Sequence, residues 1–129
     1  MKVMKFGGSS LADAKRYLRV TDITLDCHQS EGAAVVLSAP KGVTNALSLL
    51  CEQAASQQDY SELFDKLRTT LQGINDELHQ TLTGYAHDEL VFFIDEHLSW
   101  LGRQLEGFTL LGCAPDAISA AILSSATFL

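Results

Sequence analysis

Apolar residues fall in several distinct rhythms along this chain. Lys2–Phe6 carries Val3 and Met4 in a short run that Gly7-Gly8-Ser9-Ser10 interrupts, the form of a strand followed by a break. Leu11, Ala14, Leu18, Thr21 and Leu25 then recur at three- and four-residue spacing, predicting a helix to about residue 27. Ser10 with Asp13 three positions on is a weak capping-box pattern at its start, aspartate standing for the usual glutamate. After a turn at 30–32, Ala33–Leu37 is a continuous apolar run, as expected for a parallel strand covered on both faces. A loop at 38–42 leads into a second helix from 43 to about 57. Strand, helix, strand, helix over residues 1–57 predicts an α/β layer fold whose parallel strands join by a right-handed crossover.

The middle of the chain changes period. Tyr60, Phe64, Leu67, Leu71, Ile74, Leu78 and Leu82 form one long amphipathic stripe, weakened at Gly73. A turn at 83–85 separates it from a second stripe of Leu90, Ile94, Leu98, Leu101, Leu105 and Phe108. Residues 58–112 therefore predict an αα-hairpin, packed on its own domain or offered to a coiled-coil partner. Beyond a loop at 112–115, where Pro115 suits a helix start, residues 117–129 hold no charged side chain. A helix apolar all round needs cover on most sides, so the expected cover lies outside these residues or comes from another chain.

Composition places the pattern in an ordinary globular class. With 129 residues, 47% of them hydrophobic, the chain is one domain able to bury a core without disulfides or metal. The net charge of −7 is uneven: residues 1–20 hold five basic groups against Asp13, a net +4 that leaves −11 for the rest. That basic end is a solvated helix face or a local field for an anionic ligand, and no broad basic surface suggests nucleic acid. Cys27, Cys51 and Cys113 form no C-x-x-C pair, so reduced and mostly buried thiols are expected. The first apolar run is too short for a signal peptide, and no stretch reaches the ~20 apolar residues a membrane span needs. A cytoplasmic location without membrane contact is expected.

Two loops hold the candidate chemistry. In Lys5-Phe6-Gly7-Gly8-Ser9-Ser10 a lysine ends a strand, glycines admit a ligand to the backbone, and hydroxyls open a helix whose N-terminus favours anions. The loop is neither a Walker A nor a G-x-G-x-x-G motif, and a strand-to-helix turn that simply needs glycine stays open as a reading. Ser38-Ala39-Pro40-Lys41-Gly42-Val43-Thr44-Asn45 also follows a strand and should lie on the same sheet edge. Its Ser38, Thr44 and Asn45 could hold a small polar substrate, or Thr44 or Asn45 could cap the second helix. His28, His79, His87 and His97 show no ligand spacing, and Asp76-Glu77, Asp88-Glu89 and Asp95-Glu96 read as solvated faces, so no metal site is expected.

At these loops the sequence resembles a known family. Lys5 to Ser10 is similar to the K-F-G-G-[TS]-S signature of aspartate kinases, within the amino-acid kinase family. Val35-Val36-Leu37-Ser38-Ala39 with Gly42-Val43-Thr44-Asn45 resembles that family's second motif. Leu110-Leu111-Gly112 and Pro115-Asp116 through Leu123-Ser124 are similar to the segment before its R/H-G-E motif. The hairpin brings the likeness closest to bifunctional aspartokinase/homoserine dehydrogenases.

The resemblance implies the N-terminal part of a three-layer αβα, Rossmann-like amino-acid-kinase fold with a helical hairpin inserted. It implies phosphorylation of L-aspartate by ATP with Mg²⁺, the first step of lysine, threonine and methionine biosynthesis, in a homo-oligomeric parent. By the same resemblance Lys5 stabilises the transferring phosphoryl group, and Gly7, Gly8 and Ser9 face the nucleotide. Ser38 and Thr44 contact aspartate, supported by Asn45. The R/H-G-E glutamate has no counterpart in Ser125-Ala126-Thr127-Phe128-Leu129, so a truncated and inactive segment is expected. The other readings are a kinase for a different acceptor and a non-catalytic helical interaction module.

Overall fold

The computed structural model describes residues 1–82 and 84–128, with nothing of the side chains at 127 and 128. Strand β1 (Lys2–Phe6) leads through a single 3-10 turn (Gly8–Leu11) into helix α1 (Ala14–Glu31). Strand β2 (Ala33–Leu37) and helix α2 (Val43–Ala55) follow. Helices α3 (Ser61–Thr81) and α4 (His87–Leu111) make the hairpin, and α5 (Asp116–Ser124) runs into a last 3-10 turn (Ser125–Phe128).

The start of α1 differs from the sequence reading. Asp13, not Ser10, is the N-cap, its carboxylate accepting the Arg16 amide at 2.9 Å. Asp13 holds an extended backbone (φ −152°) and Ser10 lies inside the 3-10 turn, its amide donating to the Gly7 carbonyl at 3.0 Å. The helix closes at Gly32, whose φ of +78° suits glycine and lets its amide reach the His28 carbonyl.

β1 and β2 pair in parallel from Lys2 opposite Ala33 to Phe6 opposite Leu37. The Ser38 amide extends the ladder to the Phe6 carbonyl at 3.0 Å. Paired residues share a sheet face. Phe6 lines a groove with Val20 and Ile23 of α1, so the face of Met4 and Phe6 is the one α1 covers. The opposite face, carrying Val3, Lys5 and Val36, is open among the described residues, with Val36 52% exposed. Two covered faces, expected from the AAVVL run, are therefore not found. Nor is a three-layer sandwich seen among the described residues: two strands stand beside helices, and the core lies in the helical half.

That core joins α2, α3, α4 and α5. Leu47, Leu50 and Ala54 of α2 meet Leu98, Leu101, Leu105 and Phe108 of α4, with Leu67 and Leu71 of α3 closing one side. α3 runs through Gly73 without a break. The α3 stripe carries one surprise, because the buried residue a turn beyond Leu71 is Asn75. Ile122 and Ala126 bury the inner side of the C-terminal segment, whereas Ala117, Ala120 and Ala121 are exposed, so cover comes on one side only. Gln57, in a left-handed conformation, donates from Nε2 to the Thr109 carbonyl at 3.1 Å and ties the end of α2 to the last turns of α4.

The hairpin turn brings histidines together that the sequence reading kept apart. Of the expected turn at 83–85, Thr83 lies outside the described residues. His79 and His87 stack with ring centroids 4.4 Å apart. His87 Nε2 lies 2.7 Å from Asp76 Oδ1 and its Nδ1 3.1 Å from Asp88 Oδ1. Hydrogen bonding to Asp76, then to Asp88, raises the His87 pKa above its ordinary 6.5 against a smaller opposing effect of burial. Two of the acidic pairs thus face a histidine, and Asp95 of the third meets Arg68 at 3.5 Å and Gln72 at 3.2 Å.

A raised folded-state pKa means the protonated ring stabilises the fold fully below the unfolded value near 6.5 and stops doing so as pH rises through the folded value. His97 acts in the opposite sense, since burial lowers its pKa and favours the fold above that range. The difference between the native chain and His87→Gln isolates the first effect. The native midpoint of thermal unfolding should exceed the variant's by more at pH 6 than at pH 8.5. Parallel curves would remove the ion-paired role.

Candidate functional site

Both loops leave the carboxyl ends of parallel strands, so they emerge on one edge of the sheet. Gly8 and Ser9 of the first, with Ser38 to Gly42 of the second, line a single cleft of about 340 Å³. Thr44 and Asn45, in the first turn of α2, close its other side. The loops touch backbone to backbone at Gly8. A Cβ there would stand 3.2 Å from the Ala39 carbonyl oxygen and 3.4 Å from the Lys41 Cα, both unyielding atoms. At Gly7 a Cβ would meet nothing within 4 Å.

The second loop owes its shape to Gly42, whose φ of +84° lies in the left-handed region. Gly42 is the N-cap of α2 and supplies no side-chain bond, so neither Thr44 nor Asn45 caps the helix. The Val43 amide donates to the Pro40 carbonyl and the Ala46 amide to the Gly42 carbonyl. The amides of Thr44 and Asn45 between them find no acceptor among the described residues, and the N-terminal end of the helix dipole points at the cleft wall. Ser9, Ser38, Thr44 and Asn45 all make no side-chain hydrogen bond among the described residues, which leaves four polar side chains for a ligand.

The helix N-terminus that the sequence placed at the first loop is not there. α1 begins six residues beyond Gly8, already capped by Asp13, so its N-terminus is not offered to the loop. The helix end that faces the cleft is that of α2. Lys41 also lines the cleft and was missed; its place between Pro40 and Gly42 in a post-strand loop was the available signal. Lys5 is exposed near the end of β1 on the open sheet face, not among the cleft-lining residues, and neither is Gly7, one residue outside.

Among the described residues no group of three or more His, Cys, Asp or Glu is placed to hold a metal ion. Of the cysteines only Cys51 is buried; Cys27 is half-buried and Cys113 exposed, against the expectation of mostly buried thiols. Burial, and then the charge of Glu52, push the Cys51 thiol pKa up, which makes it a packing residue rather than a nucleophile. No helix among the described residues is long and apolar enough to cross a membrane.

No protein-family model matches the chain. Two curated proteins do. A bifunctional aspartokinase/homoserine dehydrogenase of Buchnera aphidicola is 32% identical over 124 residues, 96% of this chain and 15% of its own length. The protein of the same description from Haemophilus influenzae is 33% identical over 122 residues, 95% of this chain and 15% of its own. Among solved structures, E. coli aspartokinase III in complex with aspartate and ADP superposes with a TM-score of 0.76 at 26% identity, covering 96% of this chain and 25% of that one. The same enzyme with lysine and aspartate gives 0.74. The Clostridium acetobutylicum aspartate kinase, at 17% identity and TM-score 0.59, shares the fold. The chain thus spans about 15% of the length of the curated relatives it matches.

Proposed function

We infer that this chain, an N-terminal aspartate kinase portion by sequence and by fold, builds the acceptor side and the first phosphate-facing loop of an aspartate kinase site. The observation that carries the reading is the single cleft joining Gly8 and Ser9 to Ser38, Thr44 and Asn45, residues of two loops some thirty positions apart. Phosphoryl transfer asks a protein for positioning and charge neutralisation more than for covalent chemistry, and this cleft offers those.

In the reaction, an oxygen of the aspartate side-chain carboxylate forms a bond to the γ-phosphorus of ATP. The bond from that phosphorus to the bridging oxygen breaks, and its electron pair leaves with ADP. Ser38 and Thr44 hydroxyls and the Asn45 amide hold the aspartate, whose negative charge also gains from the N-terminal end of α2. The Gly7 and Gly8 amides and the Ser9 hydroxyl meet phosphate oxygens. Lys5, on the open sheet face just before the first loop, is assigned the neutralisation of charge on the transferring group, and Lys41, which lines the cleft, adds a second cation. Mg²⁺ bound with the nucleotide would offset the phosphate charge; among the described residues no carboxylate cluster is placed to hold it.

The same reading includes a cytoplasmic, homo-oligomeric parent of three-layer αβα fold that feeds lysine, threonine and methionine biosynthesis. It also makes this chain inactive alone, because three quarters of the length of aspartokinase III has no counterpart in it. The stripes that suggested a partner-binding hairpin are largely used in the chain's own core, which disfavours the interaction-module reading.

Acyl phosphate trapped by hydroxylamine tests the proposal. The isolated chain should give none above background. A chimera carrying the remaining sequence of the Haemophilus influenzae relative after residue 124 should turn over aspartate in preference to other amino-acid acceptors. Thr44→Val in that chimera should lower kcat/KM for aspartate by about 10- to 100-fold, the worth of one hydrogen bond to a charged group. Robust turnover by the isolated chain overturns the claim that its site is partial, and an unaffected Thr44→Val overturns the acceptor assignment.

A further inference from the structure

The first turns of α2 and the first half of α3 leave between them a groove of about 220 Å³ that the kinase reading does not use. Its lining divides by chemistry. Val43, Leu63 and Leu67 supply hydrocarbon, Val43 and Leu67 being core residues only 2% and 4% exposed. Lys41 and Lys66 supply two cations, one from the loop before α2 and one from α3, with Thr70 at the α3 rim.

The two lysines are the informative part. Neither forms an ion pair among the described residues, although Glu62 stands one helical turn before Lys66. They come from different elements, so the charge repeat of a single helix does not account for their meeting. The chain as a whole carries a net charge of −7, and two unpaired cations beside one apolar floor run against that excess. A lysine lays its four-carbon stem along apolar surface and keeps a mobile ammonium at its end. An anion between two such groups gains charge-assisted hydrogen bonds, and hydrocarbon attached to it leaves water against Val43, Leu63 and Leu67. The Thr70 hydroxyl donates to the Lys66 carbonyl at 2.9 Å, so that proton is spent within α3 and recognition of the anion falls to the lysines.

We propose that this groove binds a short aliphatic carboxylate, its charged end between Lys41 and Lys66 and its tail on Val43, Leu63 and Leu67. The size suits a chain of about six carbons, since a cavity of about 150 Å³ takes up benzene. The chemistry is selective in two directions: an alcohol of the same length leaves the lysines without a counter-charge, and acetate leaves the apolar floor in water. Lys41 also lines the cleft, so a molecule held here engages a cation that the two sites share. The proposal stands on the groove and its lysines and is independent of the kinase reading.

Titration of the isotopically labelled full chain with sodium hexanoate, sodium acetate and 1-hexanol tests it by NMR. Hexanoate should bind saturably and shift the methyl groups of Val43, Leu63 and Leu67. It should bind about tenfold more tightly than 1-hexanol, the worth of one charge-assisted hydrogen bond, and about tenfold more tightly than acetate, the worth of a partly buried tail. Lys66→Gln should weaken hexanoate about tenfold and leave 1-hexanol unchanged, and Lys66→Arg, which keeps the charge, should restore most of the loss. Thr70→Trp, which fills the groove from its rim, should abolish binding of both. Lys66 and Thr70 are exposed, so these variants keep the fold. Equal affinity for hexanoate and 1-hexanol, equal affinity for hexanoate and acetate, an unweakened Lys66→Gln chain, or no saturable shift at these methyl groups each overturns the proposal.

Discussion

Leu98→Ala is expected to destabilise the chain by about 2–5 kcal/mol, the range for removing a buried leucine side chain beyond Cβ. Leu98 is 0% exposed at the middle of α4, inside the one cluster that joins α2, α3, α4 and α5. Domains of this kind are stable by only about 5–15 kcal/mol in total, so a single truncation there removes a large fraction. Phe92, on the same helix but 67% exposed, supplies the contrast. Its replacement by alanine should change stability by no more than about 0.5 kcal/mol. Urea unfolding distinguishes the two: the Leu98→Ala midpoint falls with the slope unchanged, and the Phe92→Ala midpoint stays. Equal midpoints for both variants would mean that α4 packs through a different face.

The stripe that singles out Leu98 was readable before any coordinates, because a helix that buries one face must repeat apolar residues every three or four positions. The same logic found α2, α3 and both strands nearly to the residue. It failed where a residue's role depends on something distant. The AAVVL run reports that β2 is written for two covered faces, and only one is covered among the described residues. Asn75 continues the i, i+4 row of Leu67 and Leu71 into the core, a polar residue at an apolar position, which periodicity assigns to Ile74 instead. His79 and His87 are eight positions apart with a turn between them, and no spacing rule for one helix brings them into contact.

The candidate site was half legible for a similar reason. That two post-strand loops share an edge follows from parallel pairing alone, so Gly8, Ser9, Ser38, Thr44 and Asn45 could be grouped from the sequence. Which helix turns its N-terminus toward the cleft could not. Ser10 and Asp13 compete as caps within four residues, and the outcome moves the start of α1 away from the loop. The anion preference proposed for the cleft then rests on α2 and Lys41, features of the second loop rather than the first.

The paired glycines let these two kinds of information be separated by experiment. Gly8→Ala places a methyl group 3.2 Å from the Ala39 carbonyl oxygen, so the two loops must part by a few tenths of an ångström. Overpacking of that kind costs about 1–3 kcal/mol, and because it opens the joint between the loops proposed to face phosphate and acceptor, it should also weaken ligand binding. Gly7→Ala meets no atom within 4 Å, and the backbone there (φ −80°, ψ 176°) is open to any residue. Its stability should hold or rise by about 0.4–1 kcal/mol, since alanine restricts the unfolded chain. If the Gly7 amide meets a phosphate oxygen, the new methyl group stands where the ligand approaches, and ADP affinity measured by NMR titration should fall about tenfold or more, the worth of one charge-assisted hydrogen bond. Gly8→Ala thus loses stability and binding together, whereas Gly7→Ala loses binding alone. Unchanged ADP affinity in a stable Gly7→Ala chain would reduce the first loop to a strand-to-helix connection, leaving the second loop and the end of α2 as the whole of the anion site.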